Sequence, residues 1–385
     1  MRWLDHQFDF DPGRFHGASV GRRRFLARLA GLPLALGSGS YLARSVPAQE
    51  LPTFSPNSPY SRAFNFASLA GWLTPNSQFF LRSHFGAPRF DGEPWTITVS
   101  GAVERERIFR IEDLLRMPPR EEVVTLECAG NGVGMGMVSN ARWAGVALGT
   151  LLKAAGLKPG ATEVVLVGAD GGAEREEGNL QIDSYARSIP VSKALDPGTL
   201  LAYKMNGEVL PPAHGGPVRA LVSGWYGMDS VKWLKRIVVG REPFAGFYQT
   251  RRYYEARRAG GGVERARIDA LKVKSQIARP VKGEVLHVEP VTYKGAAWSG
   301  GAEIDRVELS FDGGRTWREA GLGAERAPFA WRLWAYEWTP PATGRYDLMV
   351  RARDTLGRQQ PLERDPLILT PYTDNRIERR LLDVR

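Results

Sequence analysis

The sequence predicts an α+β protein, in which a mixed α/β domain is followed by a β-sandwich domain. Strand and helix patterns alternate between residues 90 and 240, which is typical of a mixed α/β domain. Residues 256–265 are rich in arginine and glycine, a composition that indicates a linker. Beyond them, short strand patterns follow at regular spacing, as in a β-sandwich. The chain of 385 residues is long enough for both domains.

The first domain is predicted over residues 49–262, with residues 49–62 as an extended arm because they are rich in Pro, Ser and Asn. Its elements, in chain order, are predicted as a strand at 95–101, a short helix at 111–116, a buried strand at 123–126, a helix at 148–155 closed by Gly156, and a buried strand at 164–167. No G-x-G-x-x-G follows a strand, so the sequence does not support dinucleotide binding.

The second domain is predicted over residues 263–385. Strands are expected at 284–293, 303–311, 329–338 and 345–353. Alternation is strict from Arg306 to Phe311, and Asp312-Gly313-Gly314 supplies a hairpin turn. The tryptophans of this half favour core or interface packing over a cofactor box; they are Trp298, Trp317, Trp331, Trp334 and Trp338.

The amino terminus predicts export. Consecutive arginines, Arg22 to Arg24, precede a short apolar stretch and then small residues, so residues 1–48 resemble a twin-arginine signal peptide and the location expected is the periplasm. The alternative is a basic amphipathic helix of the mature surface. The apolar stretch is too short to span a bilayer, so no permanent membrane anchor is expected.

The formal net charge of +10 is compatible with an anionic substrate or cofactor, and more weakly with nucleic acid. No RNA-binding signature or zinc-finger spacing is present, so nucleic acid is not expected as a partner.

Cys128 is the only cysteine, which excludes a disulfide scaffold, C-x-x-C redox chemistry and a C-x-x-C-H haem attachment. It follows the apolar strand at 123–126, and four glycines between residues 130 and 136 come directly after it. Such a turn allows close backbone approach to a bound group. Three interpretations remain open from the residues: a small buried hydrophobe, a nucleophile, or a thiolate metal ligand.

Two further segments carry cations beside glycines. Arg82 and His84 lie two residues apart at the end of a short strand and therefore on the same side. His214 lies in a proline- and glycine-rich loop, and Arg219 begins the strand after it. Such cations, with backbone N–H groups, suit phosphate binding. Taken singly, Arg82 and His84 are equally explained as a surface arginine and a partly buried histidine, and the cations of the second segment are better explained as solvated surface charges.

Together, these segments resemble the sulfite oxidase family of molybdopterin enzymes over roughly residues 70–370. Five separated runs match in order and approximate spacing: Phe79-Phe80-Leu81-Arg82-Ser83-His84, Glu127-Cys128-Ala129-Gly130-Asn131, Ala141-Arg142-Trp143-Ala144-Gly145, His214-Gly215-Gly216-Pro217-Val218-Arg219 and Ser230-Val231-Lys232-Trp233-Leu234.

The resemblance implies a molybdenum–molybdopterin cofactor with Cys128 as the protein ligand to the metal, and a thiolate suits that soft, sulfur-rich coordination. It implies Arg82 and Tyr253 as the catalytic residues of the substrate pocket. The cofactor-binding residues that it implies are His84, Asn131, Asp170, His214, Arg219, Ser230, Val231 and Lys232.

The resemblance also implies that the second domain is an immunoglobulin-like sandwich through which the chain forms a homodimer or heterodimer. Animal members carry a fused haem domain. This sequence has none, so we expect a separate electron acceptor, and a c-type cytochrome is the natural partner for an exported protein.

One departure from the family affects the substrate. Sulfite-oxidising members usually carry two arginines after Cys-Ala-Gly-Asn, and the second contributes to the anion pocket; here the positions are Gly132 and Val133. Losing one charged hydrogen bond to a dianion costs on the order of 1.5–3 kcal/mol. Two-electron oxidation of a small sulfur oxyanion such as sulfite is the first expectation. The alternatives are a sulfane dehydrogenase acting on carrier-bound sulfur, a reductase of small oxidised compounds such as sulfoxides, and a non-catalytic exported binding protein.

Overall fold

The computed structural model describes residues 61–88, 93–174 and 178–385, and all of them belong to one compact unit. The predicted signal segment, residues 1–48, lies outside the described residues, as does most of the predicted arm. In the part of the chain that is described, no helix is long and apolar enough to cross a bilayer.

Strands dominate the first part of the described chain. In chain order they are β1 Ser61–Arg62, β2 Leu81–Arg82, β3 Thr96–Gly101, β4 Arg107–Arg110, β5 Arg120–Glu127, β6 Val138–Ala147, β7 Glu163–Gly168, β8 Gly172–Glu174, β9 Leu180–Ile182, β10 Ala186–Pro190, β11 Thr199–Met205, β12 Glu208–Val209, β13 Arg219–Val222 and β14 Leu234–Gly240.

The α-helices of the described residues are short: α1 Ile111–Arg116, α2 Leu148–Ala155 and α3 Val191–Leu195. The bounds predicted for the first two are confirmed, and Gly156 closes α2 with a φ of 74°. The predicted mixed α/β character is wrong in extent, because these helices are connections of one or two turns and the layers are sheets. The apolar pattern correctly located the strands, but it does not reveal which strands pair.

Two sheets form this part of the molecule. One has the strand order β10-β7-β14-β3-β4, in which only β3 and β14 run parallel; the other has the order β12-β11-β6-β5, with β13 also paired to β11. Strand β6 lies between β5 and β11 and is almost wholly buried. The β5–β6 hairpin pairs Glu127 with Val138, so residues 128–137 form its connecting loop. Cys128 is therefore the first residue after a strand that is fixed in the sheet.

The later part of the chain is also built from strands. They are β15 Tyr254–Ala259, β16 Gly262–Arg267, β17 Lys274–Arg279, β18 Val285–Leu286, β19 Val291–Trp298, β20 Ile304–Ser310, β21 Arg318–Glu319, β22 Gly321–Leu322, β23 Arg332–Trp338, β24 Gly344–Asp354 and β25 Glu378–Val384.

Most of these strands form a four-stranded sheet, β17-β19-β23-β22, and a five-stranded sheet, β18-β25-β24-β20-β21. Side chains of both sheets share one buried apolar cluster, for example Tyr293 and Trp334 from the first with Val307 and Leu348 from the second. This agrees with the predicted β-sandwich, while the immunoglobulin-like topology stays a prediction. Four of the five tryptophans are buried, and Trp317 packs under Arg351, so packing explains all of them.

The linker predicted at residues 256–265 is wrong. Strands β15 and β16 form an antiparallel hairpin there, with Arg257 opposite Glu264. Gly260 and Gly261, with φ of 54° and 83°, make the turn between them. The glycines thus serve a tight reversal, and the boundary between the predicted domains at residue 262 remains a prediction.

A larger apolar cluster surrounds the β5–β6 hairpin, and it includes residues from beyond residue 290: Ala296, Trp298, Trp331 and Tyr372. Backbone hydrogen bonds join the same regions, since Thr125 N–H donates to the Phe329 carbonyl at 2.9 Å. The strand that precedes Cys128 is therefore packed against the later part of the chain.

Substitution of Gly145 tests how closely β6 packs against the neighbouring strand β11. A Cβ at this position would lie 2.1 Å from the Leu201 carbonyl oxygen, so Gly145→Ala forces the sheet backbone apart. We expect it to lower the free energy of unfolding by about 1–3 kcal/mol, the usual cost of overpacking. Urea denaturation is the measurement, with Gly71→Ala as control because no atom lies within 4 Å of that Cβ. Equal unfolding midpoints for the two variants would contradict this packing.

Candidate active site

A cavity of about 710 Å³, including the part open to solvent, lies at the ends of β2, β5 and β13 and of the loops around them. It brings together residues that are far apart in the sequence. Ten of the eleven predicted site residues line it: Arg82, His84, Cys128, Asp170, His214, Arg219, Ser230, Val231, Lys232 and Tyr253.

Cys128 lies at one wall of the cavity, with 7% of its surface exposed. Its backbone N–H donates to the Met137 carbonyl at 2.9 Å, which closes the β5–β6 loop. Burial raises the pKa of the Cys128 thiol, although the Gly130 backbone hydrogen bond and the charge of Arg82 oppose the rise. The protein alone therefore does not favour the thiolate, whereas a bound metal ion would deprotonate the thiol.

A buried carboxylate fixes the loop that follows Cys128. Glu127 accepts hydrogen bonds from Asn131 Nδ2 at 2.8 Å, Lys274 Nζ at 3.0 Å and Trp298 Nε1 at 2.8 Å. Lys274 also donates to the Asn131 carbonyl. Both charged side chains are almost completely buried, so the contacts form a shielded ion pair.

Asn131 is the predicted site residue that does not line the cavity. Its amide oxygen accepts from the Met137 N–H at 2.9 Å, and its amide nitrogen bonds Glu127. Both polar atoms of the side chain are thus hydrogen-bonded inside the protein. Asn131 therefore stabilises the loop of Cys128 and does not face the cavity.

Arg219 joins two loops through hydrogen bonds to their backbone carbonyls. Its Nη1 donates to the His214 carbonyl at 2.9 Å and its Nη2 to the Ser230 carbonyl at 2.6 Å, which joins the two 3₁₀ turns Pro212–His214 and Gly227–Asp229. Burial lowers the pKa of Arg219 to about 9, so the guanidinium stays charged at neutral pH. The buried charge leaves the surface of these loops positive toward the cavity.

Lys232 is another cation that lines the cavity. Its Nζ donates to Ser83 Oγ at 2.8 Å and to the Ala213 carbonyl at 3.1 Å. The backbone at Gly215 passes close to it, because a Cβ there would lie 2.9 Å from Lys232 Cβ and the glycine φ is 104°. Burial, with the nearby charge of Arg219, lowers the pKa of Lys232 to about 7. An anion in the cavity would favour the charged ammonium.

Asp170 faces the same space. Its Oδ1 is buried without a hydrogen-bond partner among the described residues, and burial raises its pKa to about 7. A buried polar atom without a partner indicates a missing ligand or water, since such groups are otherwise hydrogen-bonded.

His214 is neutral, because burial lowers its pKa to about 4. Its Nε2 lies 3.0 Å from the Asn76 carbonyl oxygen, which only accepts, so Nε2 carries the proton and Nδ1 is left as an acceptor. The neutral ring thus offers a polar contact near the charged side chains of Arg219 and Lys232.

Arg82, His84 and Tyr253 form a further part of the cavity lining. Arg82 ends strand β2, and Tyr253 follows a single π-turn, Tyr248–Arg252. The Tyr253 hydroxyl lies 2.7 Å from His84 Nε2, and burial raises the pKa of Tyr253 to about 12. His84, predicted as a cofactor contact, also bonds Tyr253, which the resemblance implies as a catalytic residue.

Sequence reasoning missed several residues behind this part of the lining. Glu174 contacts His84 and Tyr248, and a fully buried ion pair joins Arg187 to Asp229 at 2.7 Å. Arg187 also donates to the Tyr248 carbonyl at 2.6 Å, which links the π-turn to the residue before Ser230. Pairs between distant segments leave no periodic signal in a sequence. A charged residue within an apolar segment, such as Arg187, is only a weak hint of a buried ion pair.

These residues fit a molybdenum–molybdopterin group. Cys128 offers one soft sulfur ligand, and in the part of the chain that is described no cluster of three His, Cys, Asp or Glu side chains is arranged to hold a metal ion. A cofactor that brings its own sulfur ligands matches that donor set. Lys232, His214 and the loops held by Arg219 match its phosphate, and the unpartnered Asp170 oxygen matches an N–H donor of a pterin ring.

Residues 84–248 match the family model of the oxidoreductase molybdopterin binding domain. Residues 265–368 match that of the Mo-co oxidoreductase dimerisation domain. Mitochondrial sulfite oxidase of Mus musculus is 35% identical over 322 residues, which are 76% of this chain and 58% of that protein. Sulfite oxidase of Gallus gallus is 33% identical over 329 residues, 75% of this chain and 68% of that protein.

Among solved structures, the sulfane dehydrogenase SoxCD from Paracoccus pantotrophus superposes with a TM-score of 0.76 at 27% identity, covering 92% of this chain and 97% of that one. Fold and site together define a molybdopterin-dependent oxidoreductase whose cofactor is molybdenum–molybdopterin. The chain belongs to the sulfite oxidase family. It spans little more than half the length of the mammalian relative.

The Glu127–Lys274 pair gives a test of the Cys128 loop. Lys274→Met leaves the Glu127 carboxylate buried without its cation, which typically costs about 3–5 kcal/mol of stability. We expect that loss in chemical denaturation, together with a lower molybdenum content per chain.

Lys272→Met is the matched control, because its pair with Glu255 is half-exposed and such pairs contribute about 0–1 kcal/mol. If both variants kept wild-type stability and molybdenum content, the loop would not depend on the buried pair.

Proposed function

We propose that this chain is a periplasmic molybdenum-cofactor oxidoreductase that oxidises a small sulfur oxyanion, such as sulfite, and passes electrons to a separate c-type cytochrome. The observation that carries the proposal is that Arg82, Tyr253 and Cys128 line one cavity although they come from distant parts of the chain. A cation, a phenol and a soft metal ligand around one space suit the oxidation of an anion at a metal.

Each of these residues has a separate role in the proposal. Arg82 places positive charge where an anionic substrate enters, and a preorganised cation stabilises negative charge in the transition state more than in solvent. Tyr253 holds a hydroxyl oxygen at the substrate. When bound at Cys128, the cofactor supplies the two-electron redox chemistry. Burial of the cavity keeps these interactions strong because the local dielectric is low.

The second candidate is a sulfane dehydrogenase acting on sulfur bound to a carrier. It is supported by the similarity to the sulfane dehydrogenase SoxCD, and by Gly132 and Val133 at the positions where sulfite-oxidising members carry arginines. A substrate held by its carrier needs less binding energy from cations in the pocket.

The remaining alternatives have less support. A reductase of small oxidised compounds such as sulfoxides would use the same metal, but a neutral substrate gives Arg82 no charge to bind. A non-catalytic binding protein leaves the assembly of Arg82, His84 and Tyr253 without a purpose.

Export and assembly are part of the proposal. The arginine-rich segment before residue 48 supports export by the twin-arginine route, which carries folded proteins and suits a cofactor acquired in the cytoplasm. The match to a dimerisation domain over residues 265–368 supports a homodimer or heterodimer through the second domain.

The substrate is tested by supplying sulfite, thiosulfate and a carrier-bound persulfide side by side to the molybdenum-loaded protein, with cytochrome c as acceptor. We expect cytochrome c reduction with sulfite. Reduction only with the carrier would replace the first candidate by the second. No reduction with any of the three, at full molybdenum occupancy, would contradict both.

Arg82→Gln tests the anion pocket. Loss of one charged hydrogen bond costs about 1.5–3 kcal/mol, so we expect the KM for sulfite to rise about 10- to 150-fold. Steady-state kinetics provide the measurement, and Arg116→Gln is the control because Arg116 is exposed on α1. An unchanged KM in the Arg82 variant would remove this residue from substrate binding.

A further inference from the structure

A chain of buried hydrogen bonds leads away from the cavity to two side chains that the proposed function does not use, Glu174 and Tyr248. The Tyr253 hydroxyl lies 2.7 Å from His84 Nε2, and His84 Nδ1 lies 3.2 Å from Glu174 Oε2. Tyr248 donates its hydroxyl proton to the same Glu174 oxygen at 2.8 Å. Tyr253 and His84 line the cavity, whereas Glu174 and Tyr248 lie behind them.

The direction of each hydrogen bond follows from Glu174. Although burial works against it, hydrogen bonds from His84 and Tyr248 lower the pKa of Glu174 to about 2, so the carboxylate is ionised at neutral pH and only accepts. His84 Nδ1 must then carry a proton. Burial lowers the pKa of His84, so the ring is neutral and Nε2 is left with a lone pair. The Tyr253 O–H therefore donates to His84.

We propose that Glu174 is a positioning residue for catalysis, which holds His84 in the tautomer that accepts the Tyr253 proton and so turns a lone pair of the Tyr253 oxygen toward the cavity. The inference rests on the proposed function, and it takes water as the source of the oxygen that a sulfur substrate gains. The Tyr253 oxygen then faces the cavity as a proton acceptor, and its O–H group does not donate a hydrogen bond to the substrate anion.

The chain of residues accounts for one of the protons that such a reaction releases. Oxidation of a sulfur oxyanion with oxygen taken from water releases two protons and two electrons; the residue chain takes up the first proton, and the electrons leave one at a time to the separate cytochrome of the proposed function. A water molecule transfers a proton to the Tyr253 oxygen as the Tyr253 O–H proton moves to His84 Nε2. One O–H bond of the water breaks, one O–H bond forms and one breaks at Tyr253, and one N–H bond forms at His84, so that the imidazolium lies beside the Glu174 carboxylate. The hydroxide that remains provides the oxygen that the substrate gains, and its proton is the second one released.

Glu174 is the residue that makes this transfer favourable. The charged and titratable groups around His84 are Arg82, Glu174, Tyr185, Tyr248, Arg252 and Tyr253. The charges of Arg82 and Arg252 disfavour an imidazolium, and Glu174 favours one. Removing the carboxylate charge leaves two cations facing the ring, so His84 becomes a poorer proton acceptor.

The tautomer is measured without turnover, by long-range ¹H–¹⁵N correlation spectra of the holoenzyme labelled with ¹⁵N-histidine. His84→Asn assigns the His84 signals among the five histidines of the chain. We expect a neutral ring protonated at Nδ1 near pH 7, and loss of that preference in Glu174→Gln. A ring protonated at Nε2, or an imidazolium at this pH, would overturn the proposal.

Kinetics of the same variant separate positioning from a structural role. We expect Glu174→Gln to lower kcat about 100-fold, at the low end of what a positioned proton acceptor contributes, with KM and molybdenum content near wild type. Glu163→Gln is the control, because its carboxylate pairs with Arg267 and lies outside the cavity lining. An unchanged kcat, or a fall explained by lost molybdenum, contradicts the positioning role.

The two proposals fail differently. A wild-type enzyme that oxidises no sulfur compound would contradict the proposed function while leaving the measured tautomer intact. An active enzyme with the opposite tautomer would contradict only the role of Glu174.

Discussion

The buried ion pair between Glu127 and Lys274 is the interaction on which the rest of the site depends. Taking both charges out of water costs several kcal/mol for each ion, and the cost is recovered only when geometry and added hydrogen bonds are good. Here Glu127 receives three donors, and Lys274 reaches it from a strand 147 residues later in the chain. The loop that begins at Cys128 is therefore complete only when the later sheets are folded against β5. Lys274, which lies in the region that matches the dimerisation-domain model, thus contributes directly to the loop of Cys128.

The cations of the site divide into two kinds. Arg187, which is fully buried, bonds the Tyr248 carbonyl and Asp229, and Arg219, which is almost fully buried, bonds two backbone carbonyls, so both fix loops. Arg82 and Lys232 line the cavity, and part of Arg219 does so as well. The site therefore combines cations that hold its loops in place with cations that offer positive charge to an anion. Substituting a cation that fixes a loop should therefore affect the site differently from substituting a cation that only lines the cavity.

Local patterns predicted local structure well. The helices at 111–116 and 148–155 have their expected bounds, and the strand expected at 345–353 is Gly344–Asp354, because apolar spacing and glycine caps act within one element. The strand expected at 284–293 is instead two strands, since residues between them turn. The hairpin at 254–267 was mistaken for a linker because its arginines and glycines resemble one. Of the eleven site residues that the family resemblance implies, ten line the cavity, whereas Glu174, which it does not imply, lies in a three-residue strand with no periodic signal, and its partners come from distant segments.

In the proposed function, Cys128, held by the buried pair, is the one protein ligand of a molybdenum whose other sulfur ligands come from molybdopterin. The most direct test is molybdenum K-edge X-ray absorption of the loaded wild-type protein and of Cys128→Ser. The account predicts one fewer sulfur at bonding distance in the variant than in the wild type, in whatever fraction of the variant retains metal. An identical sulfur count in the two proteins would contradict it.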